Sequence, residues 1–214
     1  RCVLFPLYMT GFIIADYLLD NSYFNAEQII IGSVSSKTGY SLASFLRSNG
    51  YQGKIVGLTS SGNIEFVKSL GFCDQVTAYE AVETLDTISS VYIDMAGNSQ
   101  VLANLHHHLQ DNMKSSQIVG ATHWESFTGT QKLPGCKPQF FFTPAHIKKR
   151  SEEWGPVVLM EKAMTAAATL AHKLSDLIVM EHHQGADDTQ QLWCDLLDNK
   201  VSGQRGLMLS LLDE

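Results

Sequence analysis

The chain has 214 residues, 44% of them hydrophobic, and carries a formal net charge of -7. This length and apolar content predict a large domain with a sizeable buried core. The negative charge and the lack of a basic cluster argue against a nucleic-acid partner. No apolar run approaches the roughly 20 residues of a membrane span, and no signal peptide is recognisable. We therefore expect neither a nucleic acid nor a membrane as partner.

The cysteines are scattered along the sequence at Cys2, Cys73, Cys136 and Cys194, with no C-x-x-C pair. This spacing favours free thiols in a reducing, cytoplasmic compartment over a disulfide framework or a zinc site. The first residue is Arg1 rather than Met. We therefore expect the chain to be part of a longer protein, with a further N-terminal part.

Apolar periodicity predicts a first helix over Met9–Leu19, and strands and helices alternate after it. The predicted strands are Gln28–Gly32, Lys54–Thr59, Gln75–Tyr79, Ser90–Met95, Gln117–Gly120 and Gln139–Thr143. The predicted helices between them are Thr38–Ser48, Ser61–Leu70 and Asn98–His108. Asn98 or Ser99 is the expected cap of the last of these helices, and Gly71 is an expected helix stop.

Short, continuous, apolar strands that alternate with helices are typical of a parallel sheet covered on both faces. The predicted fold is α/β: a doubly wound, parallel six-stranded sheet of Rossmann type with extra C-terminal helices. Residues 8–145 are expected to form a nucleotide-binding domain, and residues 146–214 a helical extension that packs on it. Within the extension, one long helix is predicted over Val158–Glu181 and another over Gln190–Asp198.

The segment that follows the first strand has the composition of an anion-binding loop. Small residues fill the turn from Gly32 to Thr38, and a helix pattern follows directly. Backbone N–H groups in such a turn can face a phosphate, and the start of the helix adds its positive end. A plain strand–helix turn capped by serines is the alternative explanation.

Two phosphate-binding motifs compete for this loop. The P-loop, G-x-x-x-x-G-K-[ST], is suggested by Lys37 and Thr38, but the loop is one residue short and Ser36 stands where glycine belongs. The dinucleotide turn, G-x-G-x-x-G, matches only at Gly32, and we interpret Ser35 and Thr38 as replacing its other two glycines, the one that permits close approach and the one that packs on the helix. Serine still permits a close approach, and Lys37 can add a positive charge; a solvated Lys37 is about as plausible.

The end of the second strand predicts which dinucleotide is preferred. NAD-specific sites usually hold an acidic residue there for the ribose 2′-hydroxyl, and none occurs before Glu65. Thr59, Ser60 and Asn63 offer neutral donors instead. This favours NADP(H) over NAD(H), although serines before a helix also act simply as caps.

The stretch GKIVGLTSSGNIEFVKSLGFCDQVTAY, with Leu70, Gly71 and Tyr79, resembles the second-strand region of medium-chain dehydrogenase/reductases. SVYIDMAGN resembles their fourth strand. The chain looks like the quinone-oxidoreductase-like branch, and its SSKTG and FFFTPAHIKKR runs resemble an uncharacterised family of unknown function related to that branch. The resemblance implies a bilobal enzyme in which this chain is the cofactor lobe and the N-terminal catalytic lobe is missing. It also implies a homodimer formed through the last strand, Phe140–Phe142, and no zinc.

The resemblance further assigns positions toward the cofactor. Loop residues would face the pyrophosphate, the end of the second strand the adenosine ribose and its phosphate, and Tyr79 the adenine side. The end of the fourth strand would line the ribose edge, and the end of the fifth strand would approach the nicotinamide. The candidate cofactor-binding residues are Gly32, Ser33, Ser35, Ser36, Lys37, Thr38, Thr59, Ser60, Asn63, Tyr79, Met95, Ala96, Gly97, Gly120, Ala121 and Thr122. No catalytic residue is assigned.

Consecutive histidines in this sequence suggest a metal-binding site, but helix geometry argues against one. Three consecutive residues, His106–His108, splay by about 100° each on a helix and cannot face one ion. We expect them at a solvated helix end. His123, just past the fifth strand, is a candidate acid–base group, and a polar loop histidine is the commoner case.

Three functional hypotheses follow from the sequence. The first is an NADP(H)-dependent reductase that transfers hydride to a small carbonyl, enone or quinone substrate. The second is a nucleotide-binding module or sensor without catalysis, which the serine-substituted loop keeps open. A remote third is a P-loop phosphotransferase. Fold alone does not decide among them.

Overall fold

The computed structural model describes residues 3–120, 133–198 and 200–211. A parallel sheet of six strands forms its centre, in the order β3-β2-β1-β4-β5-β6. The strands are β1 (Gln28–Gly32), β2 (Lys54–Thr59), β3 (Gln75–Ala78), β4 (Ser90–Asp94), β5 (Met113–Ile118) and β6 (Gln139–Phe140). The predicted α/β fold, with a doubly wound parallel sheet, is confirmed.

Helices cover both faces of the sheet. The first half of the chain contributes α1 (Phe5–Asp20), α2 (Lys37–Ser48), α3 (Ile64–Leu70) and α4 (Ser99–Leu109). Asn98 caps α4 by accepting from the backbone N–H of Gln100 and Val101, and Gly71 ends α3 in a left-handed conformation. Both terminal signals in the sequence were therefore interpreted correctly.

The core divides into two apolar layers because every residue of β1 and β4 is buried. Ile29 and Ile31 point into the layer shared with α1 and α2. Ile30 and Tyr92 point into the layer shared with α4. Side chains of successive strand residues alternate between the faces of a sheet, so one apolar run supplies both layers.

The C-terminal part differs from its prediction. It contains α5 (Thr143–Trp154), α6 (Pro156–Lys173), β7 (Val179–Gln184), α7 (Gly185–Leu197) and β8 (Arg205–Ser210). The expected helix over Val158–Glu181 is wrong beyond Lys173, where the chain turns and forms β7. The reason is tertiary, because β7 pairs in parallel with the distant β8 in a separate two-stranded sheet. We call this sheet, β7 with β8, the C-terminal ribbon.

Two strand boundaries also differ from expectation. β5 begins at Met113 rather than Gln117, because the polar stretch of Lys114, Ser115 and Ser116 concealed its start. Inside the sheet, the hydroxyl of Ser116 is satisfied by His106. β6 covers only Gln139–Phe140, since α5 begins at Thr143.

No helix in the described part of the chain is long and apolar enough to cross a membrane.

Candidate functional site

The candidate site lies where the strand order of the sheet reverses. β2 lies on one side of β1 and β4 on the other, although β4 follows β3 in the chain. Gly32 at the end of β1 is in register with Asp94 at the end of β4. Ligands of open α/β sheets bind in the crevice beyond the carboxyl ends of the strands at such a reversal.

The loop between β1 and α2 is held by its own backbone. Ser33 adopts a left-handed conformation with φ 52°, and its carbonyl accepts from the N–H of Ser36 at 2.9 Å. The N–H of Val34 donates to the carbonyl of Leu58 in β2 at 3.0 Å, which fixes the loop to the neighbouring strand. The loop is therefore a defined turn.

The start of α2 supplies free amides. Ser36 is the cap and accepts from the N–H of Gly39 at 3.0 Å. Helix geometry gives the N–H groups of Lys37 and Thr38 no acceptor within the helix. These two amides lie at the positive end of a helix of 12 residues, which is the arrangement that anion-binding sites use.

Gly39 is the glycine that the sequence interpretation missed. A Cβ at this position would lie 2.6 Å from the carbonyl oxygen of Ser33 and 2.8 Å from the Cα of Val34. Gly39 therefore permits the loop to pack on the helix, the role that we had assigned to Thr38. Its signal was present as the next glycine after Gly32, two residues beyond position 37, where the motif counted from Gly32 has its third glycine.

Side chains from two other elements contact the loop. The hydroxyl of Thr59, at the end of β2, donates to the hydroxyl of Ser35 at 3.0 Å. The hydroxyl of Tyr79 hydrogen-bonds to Ser33, and burial raises the pKa of Tyr79. Thr59 is itself buried, so it supports the loop from beneath.

The other candidates at the end of β2 are exposed or half-buried. Asn63 donates its side-chain amide to the hydroxyl of Ser60 at 3.0 Å. The first acidic residue after the strand, Glu65, is exposed and paired with Lys68 at 3.0 Å. This edge of the site therefore presents neutral polar groups.

The ends of β4 and β5 form the opposite wall. One carboxylate oxygen of Asp94, Oδ1, accepts from the N–H of Ala96 at 3.0 Å and of Gly97 at 2.9 Å. A Cβ on Gly120 would lie 2.1 Å from the carbonyl oxygen of Met95, so the two strand ends are in backbone contact. The predicted residues Met95, Ala96, Gly97 and Gly120 are thus brought together, whereas Ala121 and Thr122 lie outside the described residues.

Asp94 is the second group that the predicted site omitted. It is buried, and its second oxygen, Oδ2, has no hydrogen-bond partner in the described part of the chain. Burial raises the pKa of this carboxyl, and hydrogen bonds from the N–H groups of Gly97 and Ala96 and from the hydroxyl of Tyr92 offset part of that effect. An unsatisfied buried oxygen next to the strand-order reversal is consistent with a ligand that donates to it.

The histidines do not form a metal site, and no group of three His, Cys, Asp or Glu side chains comes together among residues 3–120, 133–198 and 200–211. The expectation of a solvated end is wrong for His106, which is fully buried. Its Nδ1 lies 2.9 Å from the carbonyl of Pro134, and its Nε2 lies 3.0 Å from the hydroxyl of Ser116. His123 falls outside the described residues.

Comparison with known protein families assigns the chain to one of them. Residues 1–202 match the sequence profile described as "Protein of unknown function (DUF2855)". The chain belongs to the DUF2855 family. Curated proteins give no match to this sequence.

Solved structures show what the DUF2855 fold is similar to. The YhdH oxidoreductase of Salmonella enterica, in complex with NADP, matches with a TM-score of 0.60 and 12% identity over 95% of this chain and 61% of that chain. CurA of Vibrio vulnificus, in complex with NADPH, matches with a TM-score of 0.60 and 16% identity, over 95% and 63%. The quinone oxidoreductase of Coxiella burnetii matches with a TM-score of 0.58 and 16% identity, over 92% and 57%.

These likenesses confirm the fold that the family resemblance implied, and at such low identity they show the fold alone. The DUF2855 chain spans about three fifths of the length of each of these solved structures. The resemblance to a family of unknown function that the sequence showed is confirmed by the profile match.

Proposed function

We propose that this chain is the NADP(H)-binding domain of a quinone-oxidoreductase-like reductase. The main support for this proposal is the loop of Ser33–Thr38, which presents the free amides of Lys37 and Thr38 at the strand-order reversal. Solved structures of the same fold include oxidoreductases in complex with NADP and NADPH. In this proposal the diphosphate of the cofactor lies on that loop.

Three features of the site fit such a group. Gly39 and Gly120 allow close backbone packing, with a Cβ at either position falling within 2.6 Å of a backbone carbonyl oxygen, and this packing fixes the two walls of the crevice. The Oδ2 atom of Asp94 lacks a partner within the described residues and can accept from a ligand hydroxyl. The half-buried ammonium group of Lys37 lies at the first residue of α2, beside the proposed diphosphate.

The preference for NADP(H) is supported by the charge at the end of β2. A carboxylate there would repel a 2′-phosphate, and the nearest one, on Glu65, is paired with Lys68. Ser60 and Asn63 offer neutral donors to the ribose and its phosphate.

The bound cofactor supplies the hydride chemistry, and the residues of this chain bind and orient it. The loop of Ser33–Thr38 would fix the diphosphate, and the wall of Met95–Gly97 with Gly120 would position the nicotinamide half. The proposed acceptor is a small carbonyl, enone or quinone compound. We assign no catalytic residue in this chain and no zinc site.

Titration calorimetry with NADPH, NADH and ATP with Mg²⁺ tests the proposal. We expect NADPH to bind, NADH to bind about tenfold more weakly, a difference of about 1.4 kcal/mol, and ATP to bind more weakly still. In the full-length protein, benzoquinone should then oxidise NADPH. Absence of NADPH binding, or tighter binding of ATP with Mg²⁺, would contradict the proposal.

A loop variant makes the same test specific to the site. Gly39→Ala places a Cβ against the backbone of Ser33 and Val34, so we expect NADPH affinity to fall at least about tenfold as the loop shifts. Ser69→Ala on α3 is the matched small substitution away from the loop and should keep wild-type affinity. Thermal unfolding of both variants verifies that they fold.

Binding without catalysis is a second candidate function, favoured by one observation. The hydroxyls of Ser35 and Thr59 bond to each other, so the serine that replaces the usual glycine is held within the protein. Such a loop is compatible with a module that binds a nucleotide and transfers no hydride. NADPH binding without benzoquinone reduction in the full-length protein would support this function over the reductase. A P-loop role is disfavoured because the loop is one residue short of the motif and Ser36 stands where glycine belongs.

We also propose a homodimer that forms through the last strand of the sheet. β6 is an edge strand, and Phe140 and Phe142 beside it are 64% and 60% exposed. An open edge with exposed aromatic side chains favours pairing with a second copy. Light scattering should report a dimer that Phe140→Lys dissociates, whereas Val157→Lys, at an equally exposed apolar position, should not. A monomeric wild-type protein would contradict this proposal.

A further inference from the structure

The segment that leads into the C-terminal ribbon lies directly on the proposed diphosphate loop. A Cβ on Gly203 would be 2.5 Å from the carbonyl oxygen of Ser35 and 2.9 Å from a ring carbon of Phe66. The backbone at Gly203 therefore touches both the loop and α3. Only a residue without a side chain permits so close a contact.

Lys37 joins the two segments through a second set of contacts. Its ammonium group donates to the carbonyl of Arg205 at 2.7 Å and to that of Gly203 at 3.4 Å. Arg205 is the first residue of β8. We call this arrangement, Lys37 with the carbonyls of Gly203 and Arg205, the clasp.

The clasp holds a positive charge without a negative partner. Its acceptors are neutral carbonyls, and no acidic side chain of the described residues forms an ion pair with Lys37. Burial lowers the pKa of this lysine, which reflects the cost of removing an ammonium from water. An anion next to it would relieve that cost.

The position of the clasp places it beside such an anion. Lys37 is the first residue of α2, and its own backbone N–H is one of the two free amides of the proposed site. A lysine ammonium has three donors, and the two carbonyls occupy two of them. The third donor can serve a phosphate oxygen while the clasp stays closed.

We propose that Lys37 couples binding at the loop of Ser33–Thr38 to docking of the C-terminal ribbon. A diphosphate on the loop stabilises the closed clasp and so the ribbon, and a closed clasp strengthens diphosphate binding by the same factor. This inference depends on the diphosphate site of the proposed function. Lys37 is a positioning residue here, acting through the ribbon as well as on the ligand.

Hydrogen exchange of the ribbon amides, with and without NADPH, tests the coupling. In the wild-type protein we expect NADPH to slow exchange over residues 202–210 about five- to tenfold, within the usual range of coupling between sites. In Lys37→Met we expect faster exchange without NADPH and little further slowing with it. Lys148→Met on α5 removes a lysine that is 79% exposed and pairs with Glu152 at 3.9 Å, and this variant should behave as the wild type.

A ribbon-side variant separates coupling from direct contact with the ligand. Gly203→Ala leaves Lys37 in place but sets a Cβ against the carbonyl of Ser35. It should weaken NADPH binding about fivefold and speed ribbon exchange. Lys37→Arg retains the charge and should keep most of the coupling, which covers the case in which Lys37→Met does not fold.

The outcomes distinguish this inference from the proposed function. If NADPH does not bind the wild-type protein, the proposed function fails and the coupling with it. If NADPH binds but ribbon exchange is unchanged by it, or if Lys37→Met shows the wild-type slowing, the coupling is wrong and the proposed function stands.

Discussion

The six-stranded sheet and the C-terminal part of the chain are held by different forces. Every residue of β1 and β4 is buried, and apolar side chains fill both faces. In the C-terminal ribbon, by contrast, Val179, Met180 and Leu209 are exposed, and the ribbon is joined to the sheet domain by the clasp. Apolar burial needs only a pattern in the local sequence, whereas polar anchoring needs particular distant partners.

A second polar anchor joins α5 to α1. The carboxylate of Asp16, which is 5% exposed, accepts from Nε2 of His146 and from Nε of Arg150, both at 2.6 Å. Arg150 also pairs with Asp20 at 2.9 Å and with Glu153. The C-terminal helices are therefore attached to the first helix by a buried cluster of charges as well as by apolar contacts.

The largest effect is expected in the sheet. Ile30→Ala in β1 deletes a side chain with no exposed surface and leaves a cavity between β1 and α4, at a cost of about 4 kcal/mol of unfolding free energy. Val179→Ala in β7, where the side chain is 58% exposed, should change stability by less than about 0.5 kcal/mol. Urea unfolding measures both, and equal losses would abolish the distinction between the two regions.

The next effect is expected at the anchor of α5. Asp16→Asn removes the charge that His146 and Arg150 share, and we expect a loss of about 3 kcal/mol, near the lower end for a broken buried ion pair. Asp20 and Glu153 still pair with Arg150 and limit the damage. Glu152→Gln on the same helix, where the side chain is 68% exposed and pairs with Lys148 at 3.9 Å, should cost less than about 0.5 kcal/mol.

Lowering the pH should change the stability contributions of the two buried aspartates, Asp16 and Asp94, in opposite directions. Burial alone raises the pKa of Asp16, but hydrogen bonds from His146 and Arg150 outweigh it and lower the pKa below its ordinary value. Its stabilisation is therefore present above the unfolded-state pKa of about 4 and is lost as the pH falls through the lower folded value. Asp94 behaves oppositely, because burial raises its pKa.

Unfolding at a series of pH values checks that contrast. Between pH values of about 5 and 2, the stability difference between the wild type and Asp16→Asn should shrink as the pH falls. For Asp94→Asn, the wild type should instead gain relative to the variant as Asp94 becomes protonated. Parallel pH profiles for the two variants would show that the cations near Asp16 contribute nothing to its pKa.

The smallest effect is expected within the ribbon. Glu181 in β7 accepts from Arg205 at 2.8 Å and 2.7 Å, and both side chains are 28% exposed. Glu181→Gln should destabilise the ribbon only slightly, since solvent screens a pair of this exposure, and local hydrogen exchange of β7 and β8 should detect the change. Asp198→Asn, in an exposed pair with Lys200, is the control and should leave that exchange unchanged.

The contrast between the regions also explains what the sequence could predict. β1 and β2 were predicted to the residue, because apolar runs bounded by turn residues identify such strands locally. The same rule failed for β7, where residues of unremarkable polarity become a strand only by pairing with β8. It also failed for β5, whose serines are satisfied within the folded sheet.

The candidate site divides in the same way. The loop and its helix cap were visible in the sequence, because Ser36 and its neighbours act over three or four residues. Gly39 was missed because it lies beyond the motif spacing, although it is the next glycine after Gly32 in the sequence. The contacts of Gly203 and of the Arg205 carbonyl with the loop had no local signal, since they depend on where the chain returns after more than 160 residues.

The clasp has a consequence for the order in which the protein matures. Its partners Lys37 and Arg205 are separated by 168 positions. During synthesis the sheet domain can therefore fold well before residue 205 leaves the ribosome. At ordinary translation rates, of roughly 5–20 residues per second, the loop of Ser33–Thr38 then exists for several seconds without the carbonyls that hold Lys37. A truncated product that ends before Gly203 would keep the sheet and carry an unclasped loop permanently.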